Sequence, residues 1–145
     1  MNTDTSAAIA GKPRRRYAPA VVRVLMGLPL VVFGLNNIHP FLPQPKTPIP
    51  EAAAAFAGAL MASGYMMPLI GCTLFVTGAL LLLNRWVPLA LALFAPFIVN
   101  SIAFHVFLEP SGLPVAGTFL VLELYLAWVY RAAFRPMLAA RVNPS

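Results

Sequence analysis

The sequence predicts an all-α fold: an antiparallel four-helix transmembrane bundle with a short extra helix before the second span. Three observations predict it. Four apolar runs, roughly 20–42, 65–83, 87–108 and 114–134, are each long enough to cross a hydrocarbon core about 30 Å thick. Only 10% of the 145 residues are charged, against about a quarter in a soluble domain. Nine of the ten Lys and Arg residues fall on one side of the runs. The net charge of +6 is therefore explained by membrane topology before nucleic acid, and no nucleic-acid partner is expected.

The elements follow in chain order. Residues 1–18 read as a disordered basic cytoplasmic tail, with Lys12, Arg14, Arg15 and Arg16 at its end. No small-x-small cleavage site follows the first apolar run, so the start reads as an uncleaved anchor. The first span carries Arg23, expected to snorkel back to the headgroups. Four prolines between Phe41 and Pro50 exclude regular helix there. Glu51 then suits the positive end of a new helix dipole. The 32 residues from Ala52 to Leu83 exceed one span of about 20. Ser63-Gly64 and Pro68 supply a break, which leaves a short helix at about 51–62 on the interface or against the bundle. Ala55, Ala59 and Ser63 give it a small-residue repeat of the close-packing kind.

Asn84-Arg85-Trp86 reads as a tight turn with Trp86 at headgroup level. Glu109-Pro-Ser-Gly-Leu-Pro114 reads as a second turn, its last proline suited to a helix start. Trp128, Tyr130, Arg131 and Arg135 form an interfacial belt at the end of the fourth span. The membrane domain is thus 19–135, followed by a cytoplasmic tail at 136–145. Five basic residues precede or open span one, one lies between spans two and three, and three end span four. Lys46 stands alone on the other side. Both termini are accordingly expected in the cytoplasm.

Polar residues inside the spans are the candidates for chemistry, because an unpaired charge or amide in hydrocarbon costs several kcal/mol. Glu123 falls near mid-membrane and shares a helix face with Ala127 and Tyr130. It is either a structural tie or a proton- or ligand-handling carboxylate. Asn36, His39, Asn100 and His105 fall in the outer half, His105 sharing a face with Ser101. These four residues, with Glu123, are expected to line the outer half of one bundle interior as a polar, quinone or proton site. Asn36, Asn37 and Asn100 also suit helix–helix hydrogen bonding. No catalytic residue is assigned, no metal site is expected, and two histidines alone make a poor case for haem. Gly27, Gly34, Gly71 and Gly78, seven apart within their spans, read as packing contacts. Cys72, the only cysteine, excludes an intrachain disulfide and reads as a small core residue. Nucleotide-loop, zincin, nucleophile-elbow and EF-hand patterns are missing from the sequence.

Three segments together carry a resemblance: Arg23-Val-Leu-Met-Gly27, Phe33-Gly34-Leu-Asn-Asn37 and Gly78-Ala-Leu-Leu-Leu-Leu83. In this order and spacing the chain resembles the DoxX-like family of small four-helix membrane proteins, from about Val22 to Arg135. The segments Pro96-Phe-Ile-Val-Asn100 and His105-Val-Phe-Leu108, followed by Pro110 and Gly112, are similar to one subgroup. The resemblance implies an inner-membrane bundle with a redox association, since members include a membrane subunit of thiosulfate:quinone oxidoreductase. It also implies a bacterial source, quinone as the ligand to consider, and a membrane or periplasmic redox partner. Two positions depart from the family: Asn37 stands where a Lys is frequent, and Leu74 about where a Glu occurs.

The reading that results is an accessory subunit rather than a self-sufficient enzyme, embedded in the bilayer and open to homo-oligomerisation. Two other classes compete with it. One is a scaffold or assembly factor using the Ala-rich helix and proline loop. The other is a small proton-coupled transporter using Glu123.

Overall fold

The computed structural model describes residues 14–43 and 48–139. The described chain is helical, without strands. Its helices are α1 (Arg14–Ile38), α2 (Glu51–Ala62), α3 (Met66–Leu82), α4 (Val87–Phe107), α5 (Leu113–Val129) and the short α6 (Arg131–Phe134). Two 3-10 turns, Pro110–Gly112 and Pro136–Leu138, flank α5 and α6. Three segments are long and apolar enough to cross a membrane: Tyr17–Ile38, Val87–Phe107 and Pro110–Val129. The bent pair α2–α3 raises the number to four if it counts as one span. At most 28% of any of the three windows is buried. The remaining apolar surface faces outward, an arrangement suited to lipid and not to water.

Two boundaries differ from the sequence reading. α1 begins at Arg14, inside the segment expected as tail, because Arg and Ala are good helix formers and nothing breaks the helix before Pro19. The helix formed by the fourth apolar run does not continue unbroken to Phe134. α5 stops at Val129, and Tyr130 (φ −93°, ψ 11°) separates it from α6. The rest of the expected tails, 1–13 and 140–145, and Lys46 in the proline loop lie outside the described residues.

The tightest packing joins α1 to α3, and glycine makes it. A Cβ on Gly34 would lie 2.8 Å from the Gly71 carbonyl oxygen and 2.5 Å from the Phe75 backbone nitrogen. A Cβ on Gly78 would lie 2.7 Å from the Gly27 carbonyl oxygen. The pairs Gly27–Gly78 and Gly34–Gly71 run in opposite chain directions, so α1 and α3 are antiparallel with backbones in contact. This is the small-residue packing that apolar solvent demands, where close approach and dispersion replace the hydrophobic effect. α4 packs on α3 and on α5, and α5 returns to α1. Met26, Leu30, Leu81, Leu91, Phe94 and Leu126 meet in the resulting core.

α2 is set at 90° to α3 across the Ser63–Tyr65 break. Gly64, at φ +75°, makes that corner, a conformation costly for residues with a Cβ. Ser63 supports it: its hydroxyl donates to the Leu60 carbonyl at 2.6 Å and accepts from Met66 N–H at 3.1 Å. The expected small-residue stripe is not the packing face, since Ala55, Ala59 and Ser63 are exposed. The 90° bend instead turns Ala53 inward, fully buried, and stacks Phe56 against Phe104 of α4 at 5.6 Å.

The α3–α4 turn closes the opposite end. Asn84 adopts φ +53°. Its N–H donates to the Leu81 carbonyl at 3.2 Å, and the Arg85 N–H donates to Leu80 at 3.1 Å. This is the Schellman pattern, with Asn in the left-handed position that Gly more commonly takes.

Candidate functional site

At the end of α4 the chain builds a compact polar knot. His105 Nδ1 lies 2.8 Å from the Glu109 carbonyl oxygen and 3.0 Å from Glu109 Oε2. A backbone carbonyl oxygen can only accept, so Nδ1 carries the proton and Nε2 is the acceptor of the neutral ring. The Glu109 carboxylate also accepts from the Ser111 hydroxyl and, at 3.1 Å, from Gly112 N–H. The bond from Ser111 foremost, with those from Gly112 and His105, holds the Glu109 carboxyl below its ordinary 4.5, since each stabilises the ionised form. Gly112 is required here: a Cβ would fall 2.1 Å from His105 Cε1. The imidazole is thus fixed from one side by Glu109 and packed against bare backbone on the other.

His105 faces an interior hollow of about 260 Å³ bounded by α1, α3, α4 and α5. Its lining is largely apolar, with four phenylalanines: Phe33, Phe94, Phe97 and Phe119. The polar side chains reaching it are His105, Ser101 and Asn37. Asn37 also lines two neighbouring hollows. One opens beside Asn36, Pro40 and Met61 at the end of α1. The other lies under α2 and includes Phe56, Asn100 and Ser101. Asn37 therefore stands where three spaces meet.

The expected polar set is divided by the structure. Of its five members, His105 lines the interior hollow. Asn36 is engaged locally: its Oδ1 accepts from Phe41 N–H at 3.0 Å and Leu42 N–H at 2.8 Å, holding the chain as it leaves α1. His39 is exposed beyond the end of α1, because the helix stops before Pro40 and releases the ring outward. Asn100 is exposed on the α2 side of α4, one residue before the inward-facing Ser101. Glu123 is buried at 5% exposure but lines a separate hollow with Leu91, Ala92, Ala95, Ala127 and Phe134. Its partners on α4, Leu91, Ala92 and Ala95, lie about three to four turns from His105, so the carboxylate and the imidazole do not share a ligand space.

Arg23 has partners within the protein, and the expectation for Cys72 is corrected. Arg23 donates to Asn84 Oδ1 and, at 2.8 Å, to the Tyr130 hydroxyl, clamping α1 to the α3–α4 turn and to the end of α5. Cys72 is exposed and so outside the core, because Gly71 beside it takes the α1-facing position. The interfacial end of α5 does carry its aromatic and basic pair: the Arg131 guanidinium sits 4.7 Å above the Trp128 ring.

Glu109, Ser111 and Asn37 are the residues that inspection of the sequence undervalued. The signal for Glu109 is its spacing, four residues after His105 and immediately before Pro-Ser-Gly, where a carboxylate can reach both a helix end and a following turn. Among the described residues, no group of three His, Cys, Asp or Glu is placed to hold a metal ion.

These features are compatible with one class, a multi-pass all-helical membrane protein with a polar-tipped apolar hollow between its helices. Comparison with family models, curated proteins and solved structures gave no match to the chain.

Proposed function

We propose that this chain is a DoxX-like protein of a bacterial inner membrane, spanning it four times as an antiparallel bundle, with both termini in the cytoplasm. Its proposed role is that of an accessory subunit that holds the ring headgroup of a quinone for a membrane or periplasmic redox partner. The observation that carries this reading is the interior hollow, about 260 Å³, with four phenylalanines around it and His105, Ser101 and Asn37 as its polar groups. Small-ligand sites run to about 300–1,000 Å³ and combine apolar walls with a few placed polar groups. This hollow admits a single substituted ring, while an attached tail would lie along the helices in lipid.

The chemistry of the lining favours a neutral ring over an anion. Asn37 and Leu74, the two positions that depart from the family pattern, both line the hollow. Both are uncharged, so charge-based recognition of a small anion has no cation there to rely on. His105 Nε2 can accept from a hydroquinone hydroxyl, and Ser101 and Asn37 can donate to a quinone oxygen. The phenylalanine rings supply faces and edges for stacking. Electrons must come from the partner. Glu123 takes no part in this site, being in a different hollow.

Purification of the full chain in mild detergent, followed by mass spectrometry of extracted lipids and co-purifying proteins, tests the proposal. Quinone should be retained at near one per chain. Losing one buried hydrogen bond costs about 1.4 kcal/mol, or tenfold in affinity, so His105→Ala should lower retention by about that factor, and Ser101→Leu should block the hollow. Wild-type protein that retains no quinone when extracted from quinone-containing membranes rejects the reading.

A further inference from the structure

The Glu123 hollow carries an inference independent of the quinone reading. Glu123 is buried, and its Oε2 has no hydrogen-bond partner among the described residues. A glutamate retained to tie two helices together would place that oxygen against a donor on the neighbouring helix. Here the residues around the hollow, Leu91, Ala92, Ala95, Ala127 and Phe134, have no polar side-chain atom to offer. The hollow measures about 170 Å³, with walls from α4, α5 and α6. Ala95 is exposed beside it, and the small side chains of Ala92, Ala95 and Ala127 are what leave the space open.

Among the described residues no cation is paired with Glu123. On α1, Arg23 is bonded through one terminal nitrogen, Nη1, to Asn84 and Tyr130, and its buried Nε has no partner. Arg131 of α6 lies over Trp128 and donates to its carbonyl at 2.9 Å, and Arg135 is exposed. Tyr130, about two turns beyond Glu123 at the residue that caps α5, receives the Arg23 bond, and Tyr125 is half-buried on another face of α5. α4 brings no titratable group to the hollow, and α3 brings the uncharged Thr77 to the core.

We propose that this hollow is a binding site for an amphipathic organic monocation, an amine or quaternary ammonium with a small apolar body, taken up in exchange for a proton. One carboxylate matches one positive charge. A hydrated metal ion would need several oxygen ligands, which the apolar walls do not supply. An organic cation brings its own apolar surface to Leu91 and the alanines, and the ring of Phe134 offers an ammonium group a cation–π face. When the site is empty, the carboxyl holds its proton, because an unpaired carboxylate in apolar surroundings is costly. When the cation enters, the proton leaves to water and an ion pair with the carboxylate replaces it. Charge within the hollow is thereby conserved.

The test uses the full chain in phosphatidylcholine nanodiscs and 2-phenylethylammonium as the probe, measured by calorimetry in buffers of differing ionisation enthalpy. The expected result is one saturable site releasing about one proton per cation. With one proton exchanged, the apparent dissociation constant should rise about tenfold for each unit that the pH is lowered. Neutral 2-phenylethanol should show no saturable binding. Glu123→Gln should abolish the site. Ala95→Leu fills the hollow from its exposed edge without touching the carboxyl, and should abolish binding while leaving the helical spectrum and melting temperature unchanged. Absence of saturable binding to wild type, binding without proton release, or binding to Glu123→Gln equal to wild type would overturn the proposal.

Discussion

The imidazole of His105 shows how one residue acquires a defined chemical state from its neighbours. Nδ1 is committed to Glu109, which leaves Nε2 as the acceptor toward any ligand in the hollow. Glu109 in turn is stabilised as an anion by Ser111, Gly112 and His105. Its carboxyl is held below the ordinary 4.5, so it binds a proton more weakly in the folded state than in the unfolded one. The stability this contributes is fully present above about 4.5 and is lost as pH falls through the lower folded-state value. Thermal unfolding in detergent should therefore show a midpoint that declines below pH 4.5. Glu109→Gln should start lower at neutral pH and decline less, and equal slopes for the two proteins would contradict this. The histidine was conspicuous in the sequence, but its partner was not. A Glu before Pro reads as a turn residue until the 3-10 turn at Pro110–Gly112 folds its carboxylate back beneath the ring.

Among the elements, α1 and α3 depend on glycine most directly. The seven-residue spacing within each helix was visible beforehand, and antiparallel pairing brings the two sets into register as Gly27–Gly78 and Gly34–Gly71. At Gly34 the obstructing atoms are backbone, which cannot rotate away, so an added methyl must separate the helices. Gly34→Ala should cost about 1–3 kcal/mol, the usual range for overpacking. Gly58, on α2, meets nothing within 4 Å, and Gly58→Ala should leave stability unchanged or raise it by up to about 1 kcal/mol through helix propensity. Unfolding of the two variants in mixed micelles decides the matter, and a Gly34→Ala protein as stable as wild type would contradict the packing. The same comparison explains why the alanine repeat of α2 misled. Spacing marks a surface able to pack closely, but only the direction of the helix after the Gly64 corner decides which surface meets a neighbour.

For the whole molecule, charge placement argues orientation and hydropathy argues insertion. The basic residues Arg23, Arg85, Arg131 and Arg135 fall at one end of the helices, where Arg23 also joins Asn84 and Tyr130. Cytoplasmic retention of such residues predicts that a fluorescent protein fused after Ser145 lights up in the cytoplasm. Alkaline phosphatase inserted next to Lys46 should be active, and the same enzyme inserted at Arg85 should be inactive. The reverse pattern would invert the orientation and place the His105 hollow toward the cytoplasm.

What the sequence by itself determined about this protein was its class, its approximate spans and the break near Ser63-Gly64. Those properties are summed along the chain: hydropathy over about 20 residues, charge asymmetry between loops, and backbone punctuation by Pro and Gly. Tertiary structure decided which polar side chains meet. A helix rotation of 100° per residue separates Asn100, exposed, from Ser101, which faces the hollow. Depth along a span, which can be counted in the sequence, placed Glu123 and His105 in one imagined cavity. The packing of α5 against the first half of α4 put Glu123 in another. Depth is a one-dimensional property of a span, whereas a site requires azimuth as well, and azimuth is settled only when neighbouring helices pack.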